Sequence, residues 1–403
     1  MTKTSSKRAE RRRYYAFVDA IIETPVEART RYSREVLLLD CVDADAFDQG
    51  RLALDHPDSL ALIRVVSTRR RLEHGYGLVP VGEGDWLELT VATQRGSPRA
   101  WVMPASNGYE SEAAANLRSI VKLPDPELEP ESPAGRIARR LIEECSLGPD
   151  VVWAGDGDIF PAQLHLTGSL GLEIRAVDVG QASCNVFIVD GESIGYFDVG
   201  GPLYRNQRSF HGRLCHEIPA RGFVLLSHWD FDHFDLGRRH AGLRGLKWFA
   251  PNQPVGPNTL KFQKSLGNNL RFLNGAMSSS GFELRPGLSM RPKDRNGTGY
   301  SLRLEINDDV VVLTGDTSYE IIDPAILTGA TALTVPHHGG PGIANPPPAL
   351  GKGRAVASYG IPNGYKHPNE PYLALHISRG WTVDRTASHP TNAYKRNWRR
   401  IYP

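Results

Sequence analysis

The 403-residue chain has no stretch approaching the roughly 20 consecutive apolar residues that a membrane helix requires. Its first residues, MTKTSSKRAERRRYY, also lack the apolar core of a secretory signal. The expectation is a cytoplasmic protein without membrane attachment. Cysteine is scarce: the four present, Cys41, Cys145, Cys184 and Cys215, show no CxxC spacing. That argues against a disulfide framework and a cysteine-based zinc site, and leaves them as small buried hydrophobes. An excess of one charge sign is missing too. With a formal net charge of +2, no global field draws in nucleic acid, although basic runs stand at KRAERRR (7–13) and YKRNWRR (394–400). No internal repeat is visible.

What is present is ordinary globular composition, 40% apolar and 23% charged, which disfavours a disordered or fibrous chain. The Pro- and Glu-rich segment LPDPELEPESP (123–133) has no apolar periodicity and reads as an extended connector. Residues 1–123 before it are expected to form a mixed α/β module, with a helix presenting Tyr14, Phe17, Val18, Ile21 and Ile22 on one face and strands at EVLLLD, ALIRVV and DWLELTVAT. Residues 124–165 are expected to be a linker and a connecting helix, capped by Ser132 with Pro133 in its first turn. From 166 to 403, apolar runs alternate with glycine, aspartate and helical stretches, the pattern of layered α/β sheets with helices outside.

The chemistry concentrates in SHWDFDHFDLG (227–237), directly after the apolar run GFVLL. If the strand continues, His228, Asp230 and Asp232 point one way while Trp229 and Phe231 pack on the other, and His233 follows at the turn. Imidazoles and carboxylates together suit zinc, manganese or iron, and a bound dication offsets the cost of burying carboxylates. Three later stretches deliver polar residues after an apolar run: VVVLTGDTS gives Asp316, ALTVPHHGG gives His337 and His338, and YGIPNGYKHP gives His367. Sites are commonly built where sheet strands end.

The succession VDVGQASCNVFIVDGESIGYFDVGG, LLSHWDFDHFDLG, VVLTGDTS, VPHHGG and YGIPNGYKHP resembles the metallo-β-lactamase superfamily. Within it, the likeness is to the ComEC-type nuclease domain of DNA-uptake channel proteins, over residues 170 to 390 or so. The resemblance implies an αββα sandwich for 166–403, beside the additional N-terminal module, and two divalent metal ions. Where the superfamily reads HxHxDH, this chain has HxDxDH, with Asp230 in second place. That makes the first metal position richer in oxygen and moves the expected metal from Zn2+ alone towards Mn2+ or Zn2+. A third histidine that many relatives carry after the motif has no evident counterpart; His240 lies too soon.

Carried over residue by residue, the resemblance implies His228 and Asp230 on one metal, Asp232 and His233 on the other, Asp316 bridging and His337 completing the second position. His338 is either that ligand or an outer support. Asp178 and Asp198 would support the ligand loops. Asp232 would also orient the attacking water, His367 or His338 would serve as acid or phosphate contact, and Lys366 would meet an anion. Arg205, Arg208, His211, Arg213 and His216 read better as a solvated connecting loop than as phosphate contacts. Three functions compete. One is a two-metal phosphodiesterase acting on DNA, as in a bacterial defence or DNA-processing system. Another is a hydrolase of a small ester, lactone or nucleotide. The third is a component gated by a protein partner through the N-terminal module.

Overall fold

The computed structural model describes residues 11–22, 30, 33–50, 53–78, 80–92, 99–148, 151–155, 157–158, 171–210, 212, 214, 216–340, 345–387 and 398–402. His211, Arg213 and Cys215 lie outside the described residues, whereas Cys41, Cys145 and Cys184 are buried free thiols. The chain is mixed α/β and divides into two compact units, residues 1–148 with 254–264, and residues 149–253 with 265–403.

In the first unit, β1 (Arg11–Ile22), β2 (Arg34–Asp43), β3 (Leu60–Thr68), β4 (Trp86–Ala92), β5 (Arg99–Pro104) and β6 (Ala113–Lys122) close into a barrel in the order β1-β2-β3-β5-β6-β4. Every pairing is antiparallel, and closure leaves no strand edge exposed. The helix expected over residues 14–22 is therefore corrected to strand β1, and the mixed α/β module to a β-barrel with attached helices. Tyr14, Ala16 and Val18 enter the barrel core. Between them, Tyr15 packs edge-on against Phe47 at 5.6 Å and Phe17 against Trp86 at 5.4 Å. With both faces buried, the alternation of period two disappears from the sequence. Within the segment read as linker and connecting helix, the helix Pro133–Glu144 is capped as Ser132 indicates, its hydroxyl oxygen accepting from the Gly135 amide at 2.9 Å.

Residues 254–264 join this unit through a buried carboxylate. Asp40 on β2 accepts from the Asn258 amide at 2.8 Å, the Thr259 amide at 3.1 Å and the Thr259 hydroxyl at 3.2 Å, and from the Asn258 side chain. It thus caps the helix Pro257–Leu266 from more than two hundred residues away in sequence. Burial pushes its carboxyl up to about 6, and these donors oppose that rise. Asp40→Ala is expected to lower stability by about 2–4 kcal/mol, because several buried donors lose their partner at once. A thermal melt checks this, and an unchanged melting temperature would mean packing alone holds the helix.

The second unit has two seven-stranded sheets. The first is built from β7 (Leu172–Val177), β8 (Cys184–Val189), β9 (Glu192–Val199), β10 (Phe223–Leu225), β11 (Lys247–Pro251) and β12 (Leu270–Leu273). The second holds β13 (Met277–Ser279), β14 (Phe282–Pro286), β15 (Tyr300–Ile306), β16 (Asp309–Leu313), β17 (Ala332–Thr334), β18 (Arg354–Ala357) and β19 (Thr382–Arg385). β20 (Trp398–Tyr402) returns to the edge of the first sheet, beside β7. Along each sheet antiparallel pairings give way to parallel ones, at β9–β10 and at β16–β17. Parallel neighbours need crossovers, which place helices on the sheet faces.

Phe187, Phe197, Leu225 and Phe249 of the first sheet share one core with Phe282, Leu302, Leu304 and Leu313 of the second. On the far side of the second sheet, Val312, Leu333 and Ala355 pack with Leu373 of the helix Glu370–Ser378 and with Trp381. In the first sheet, Trp248 alternates with Phe249 and donates its indole N–H to the Leu243 carbonyl in the helical segment Ala241–Arg244, at 2.9 Å. The layers therefore run helix, sheet, sheet, helix. Among the described residues no helix is long and apolar enough to cross a membrane.

Candidate metal centre

The ionisable residues gather where β9, β10, β16, β17 and β18 end. Asp198 lies one residue before the end of β9, Ser227 and His228 follow β10, Asp316 follows β16, His337 and His338 follow β17, and Ser358 directly follows β18. The strand does not run on through Asp232, as the alternation suggested. Asp230 is the last extended residue (φ −92°, ψ 143°), and the helix Phe231–Arg239 begins after it. Asp232 and His233 therefore come from a first helical turn, with no neighbouring strand to keep them extended. Trp229 and Phe231 are core residues, as expected, both packing on Phe234.

Two glycines allow the close approach. A Cβ on Gly200 would fall inside the Asp232 carbonyl, and Gly315, at φ +57°, would bring one to 2.7 Å from the Ser227 Cβ.

Three buried imidazoles, His228, His233 and His338, each have Nδ1 engaged and Nε2 buried without a hydrogen-bond partner. His338 Nδ1 lies 2.7 Å from the Ser358 carbonyl oxygen, which can only accept. His233 Nδ1 lies 2.8 Å from Asp198 Oδ2. The Ser227 hydroxyl, 3.0 Å from Asp198 Oδ2, donates to that carboxylate and accepts from His228 Nδ1 at 2.9 Å. With Nδ1 so engaged, each Nε2 is turned into the centre, where it offers a lone pair once it carries no proton. Asp198, fully buried, orients two of the three rings.

Carboxylates meet these lone pairs. His233 Nε2 is 3.1 Å from Asp316 Oδ1, His338 Nε2 is 3.3 Å from Asp232 Oδ2 and 3.7 Å from Asp316 Oδ2, and His228 Nε2 is 3.5 Å from Asp230 Oδ2. Donor atoms of His228, His233 and Asp316 lie within 4.8 Å of one another, and so do those of Asp232, His233 and His338. Burial alone would raise the Asp316 carboxyl, but His233, His338 and His337 hold it well below the usual range. Burial would lower His233, yet Asp316 and Asp198 raise it well above an ordinary histidine. A set of buried acceptors this dense is what a cation stabilises, and unpartnered imidazole nitrogens aimed into it fit a divalent metal.

His337 stands further off. Its Nε2 is 4.0 Å from Asp316 Oδ2 and its side chain is 39% exposed, so of the adjacent pair it is His338 that enters the cluster. Asp178 accepts from the Gly180 amide at 3.2 Å, shaping its own turn. Lys366 is exposed beside His367, and His216 contacts the Tyr196 hydroxyl.

His367 sits near His337 and His338, with ring centroids 5.4 and 6.0 Å away. Its Nδ1 lies 3.1 Å from the side-chain amide nitrogen of Gln181, whose Oε1 faces the Gly360 amide at 3.5 Å. An amide N–H can only donate, so Nδ1 accepts and the ring proton is on Nε2. Desolvation, with His337 and His338 nearby, holds its pKa well below the ordinary histidine value. The ring is therefore a neutral hydrogen-bond donor at pH 7.

Four contributors were missed in the sequence: Gln181, Ser227, Arg295 and Ser358. Gln181 and Ser227 lie inside stretches singled out for other residues. Ser358 acts through its carbonyl, which side-chain identity does not report. Arg295, in a polar loop, carries no signal. Its guanidinium is 1% exposed, with Nη2 2.8 Å from Asp230 Oδ1 and Nη1 donating to the Trp229 carbonyl at 3.0 Å. Burial would raise Asp230, but Arg295 and His228 bring it down to about 2.

No protein-family model and no curated protein matches the chain. Among solved structures it is similar to the metallo-beta-lactamase fold protein YhfI from Bacillus subtilis, 15% identical over 54% of this chain and 96% of that one, with a TM-score of 0.33. It is also similar to a possible metal-dependent hydrolase from Veillonella parvula, 12% identical over 54% and 97%, TM-score 0.35. A third is the metallo hydrolase Igni18 from Ignicoccus hospitalis, 12% identical over 53% and 95%, TM-score 0.28. At TM-scores this low, the chemistry rests on the chain's own side chains.

Proposed function

We propose that this protein is a metal-dependent hydrolase of the metallo-β-lactamase type, and specifically a phosphodiesterase that cleaves DNA in the cytoplasm. The observation that carries the metal reading is the convergence of three buried Nε2 atoms on three carboxylates, Asp230, Asp232 and Asp316. His228, Asp230, Asp232, His233, Asp316 and His338 would hold two divalent ions, Zn2+ or Mn2+. When bound, these would supply a nucleophilic water at neutral pH and positive charge for the attacked group. Asp232 is the most exposed of the carboxylates, at 24%, and would orient that water and accept its hydrogen bond. His367 would donate from Nε2 to a phosphate oxygen. Because the ring is neutral, this is a contact that stabilises charge, as at an oxyanion, and not the delivery of a full proton. Lys366 would meet the neighbouring phosphate. The oxygen-rich donor set favours a phosphodiester, whose charged oxygens suit hard cations.

The test is elemental analysis of purified protein beside manganese-supported cleavage of single- and double-stranded DNA at increasing salt. Bound metal with salt-sensitive cleavage is the expected result. Metal without cleavage of either DNA would redirect the reading to small esters, or to a protein partner that docks on the first unit and gates activity. Protein that takes up no metal would overturn it.

A further inference from the structure

The centre carries a permanent cation that no metal chemistry requires. Arg295 is buried behind Asp230, and its position is fixed from two sides. Gln253 Nε2 donates to the Arg295 carbonyl at 2.8 Å, while Gln253 Oε1 accepts from the Trp229 amide at 3.2 Å. One glutamine thus clamps the arginine's backbone to the segment that carries His228 and Asp230. The guanidinium takes Oδ1 of Asp230 and leaves Oδ2 towards His228. Asp230 accordingly belongs to neither of the two groups whose donor atoms converge.

The two ends of the centre are therefore unequal. His233 is common to both: with Asp232 and His338 it forms one group of converging donors, and with His228 and Asp316 the other. On the His228 side the further carboxylate, Asp230, has its charge already balanced by the Arg295 guanidinium. A fixed positive charge in direct contact with a ligand opposes a second cation on that ligand, and in a buried setting the effect is poorly screened.

Building on the metal reading above, we propose that Arg295 makes the metal positions non-equivalent: the ion at Asp232, His233 and His338 is held tightly, and the ion at His228 and Asp230 is loose and exchangeable. The concentration of free divalent metal would then set how much of the protein is completely loaded, giving the centre a built-in dependence on metal supply.

The experiment is calorimetric titration of Zn2+ into the metal-free full-length chain, repeated with Arg295→Met, Arg295→Lys, Asp230→Asn and His338→Ala, each checked for folding by near-UV circular dichroism. The wild type should bind in two steps separated by at least about tenfold in affinity. Arg295→Met should tighten the weaker step by about tenfold or more, whereas Arg295→Lys, which keeps the charge, should preserve the gap. Asp230→Asn should remove the weaker step alone and His338→Ala the stronger. Two indistinguishable tight steps in the wild type, or an unchanged gap in folded Arg295→Met, would overturn the proposal while leaving the metal reading intact. No Zn2+ binding at all would remove the metal reading and this inference together. Should the methionine variant not fold, Arg295→Gln, which also removes the charge but keeps hydrogen-bond donors, is held to the same expectation.

Discussion

On the function proposed above, replacing His233 by alanine is expected to abolish tight binding of divalent metal and to lower phosphodiester cleavage by about 10^3-fold or more. No other side chain belongs to both groups of converging donors. Its ring lies 4.0 Å from that of His228 and 5.4 Å from that of His338, centroid to centroid, so its loss opens the middle of the centre. In the metal-free protein the same ring stands between Asp198 and Asp316, which raise its pKa well above the ordinary value. Its removal takes from two buried carboxylates the imidazole that balances their charge, and breaking a buried charge pair costs about 3–5 kcal/mol. Metal content by elemental analysis, circular dichroism and a cleavage assay on one preparation separate loss of the metal from loss of the fold. A folded variant that retains tightly bound metal would remove His233 from the ligand set.

Much of the centre was legible because a buried strand tip that ends in ionisable residues breaks the apolar pattern around it. His228, Asp230, Asp232, His233 and Asp316 all stand out in this way. What the pattern could not supply was geometry that depends on backbone turns or on distant partners. The helix that begins at Phe231 changes how Asp232 and His233 reach the site without changing which residues do so. Arg295 reaches Asp230 from a loop of unremarkable polar composition, 65 positions later in the chain. The first unit was harder to read. Strand β1 is buried on both faces, which removes the alternation that would mark it as a strand, and segment 254–264 joins the barrel through Asp40, 218 residues before Asn258. A contact of that span leaves no local trace in either segment.

The adjacent pair His337 and His338 is where sequence separation fails outright, and it gives the second large prediction. Both residues adopt left-handed backbone, at φ 46° and 55°, a conformation costly for residues with a Cβ and kept where the surroundings demand it. The turn sends the two rings apart, with centroids 6.4 Å from each other and planes at 70°. His338 is driven inwards, where the Ser358 carbonyl fixes its tautomer and its Nε2 faces Asp232 and Asp316. His337 remains partly exposed beside His367. His338→Ala is therefore expected to weaken the tighter metal step by about 100-fold or more and to reduce cleavage in proportion, since it removes a ligand itself and not merely an outer partner. His337→Ala should leave metal affinity within about threefold, because among the described residues it joins neither group of converging donors, and any loss should fall on KM. Equal metal loss in both variants would show that the pair acts as one ligand unit. Loss in His337→Ala alone would mean that the turn rearranges when metal binds.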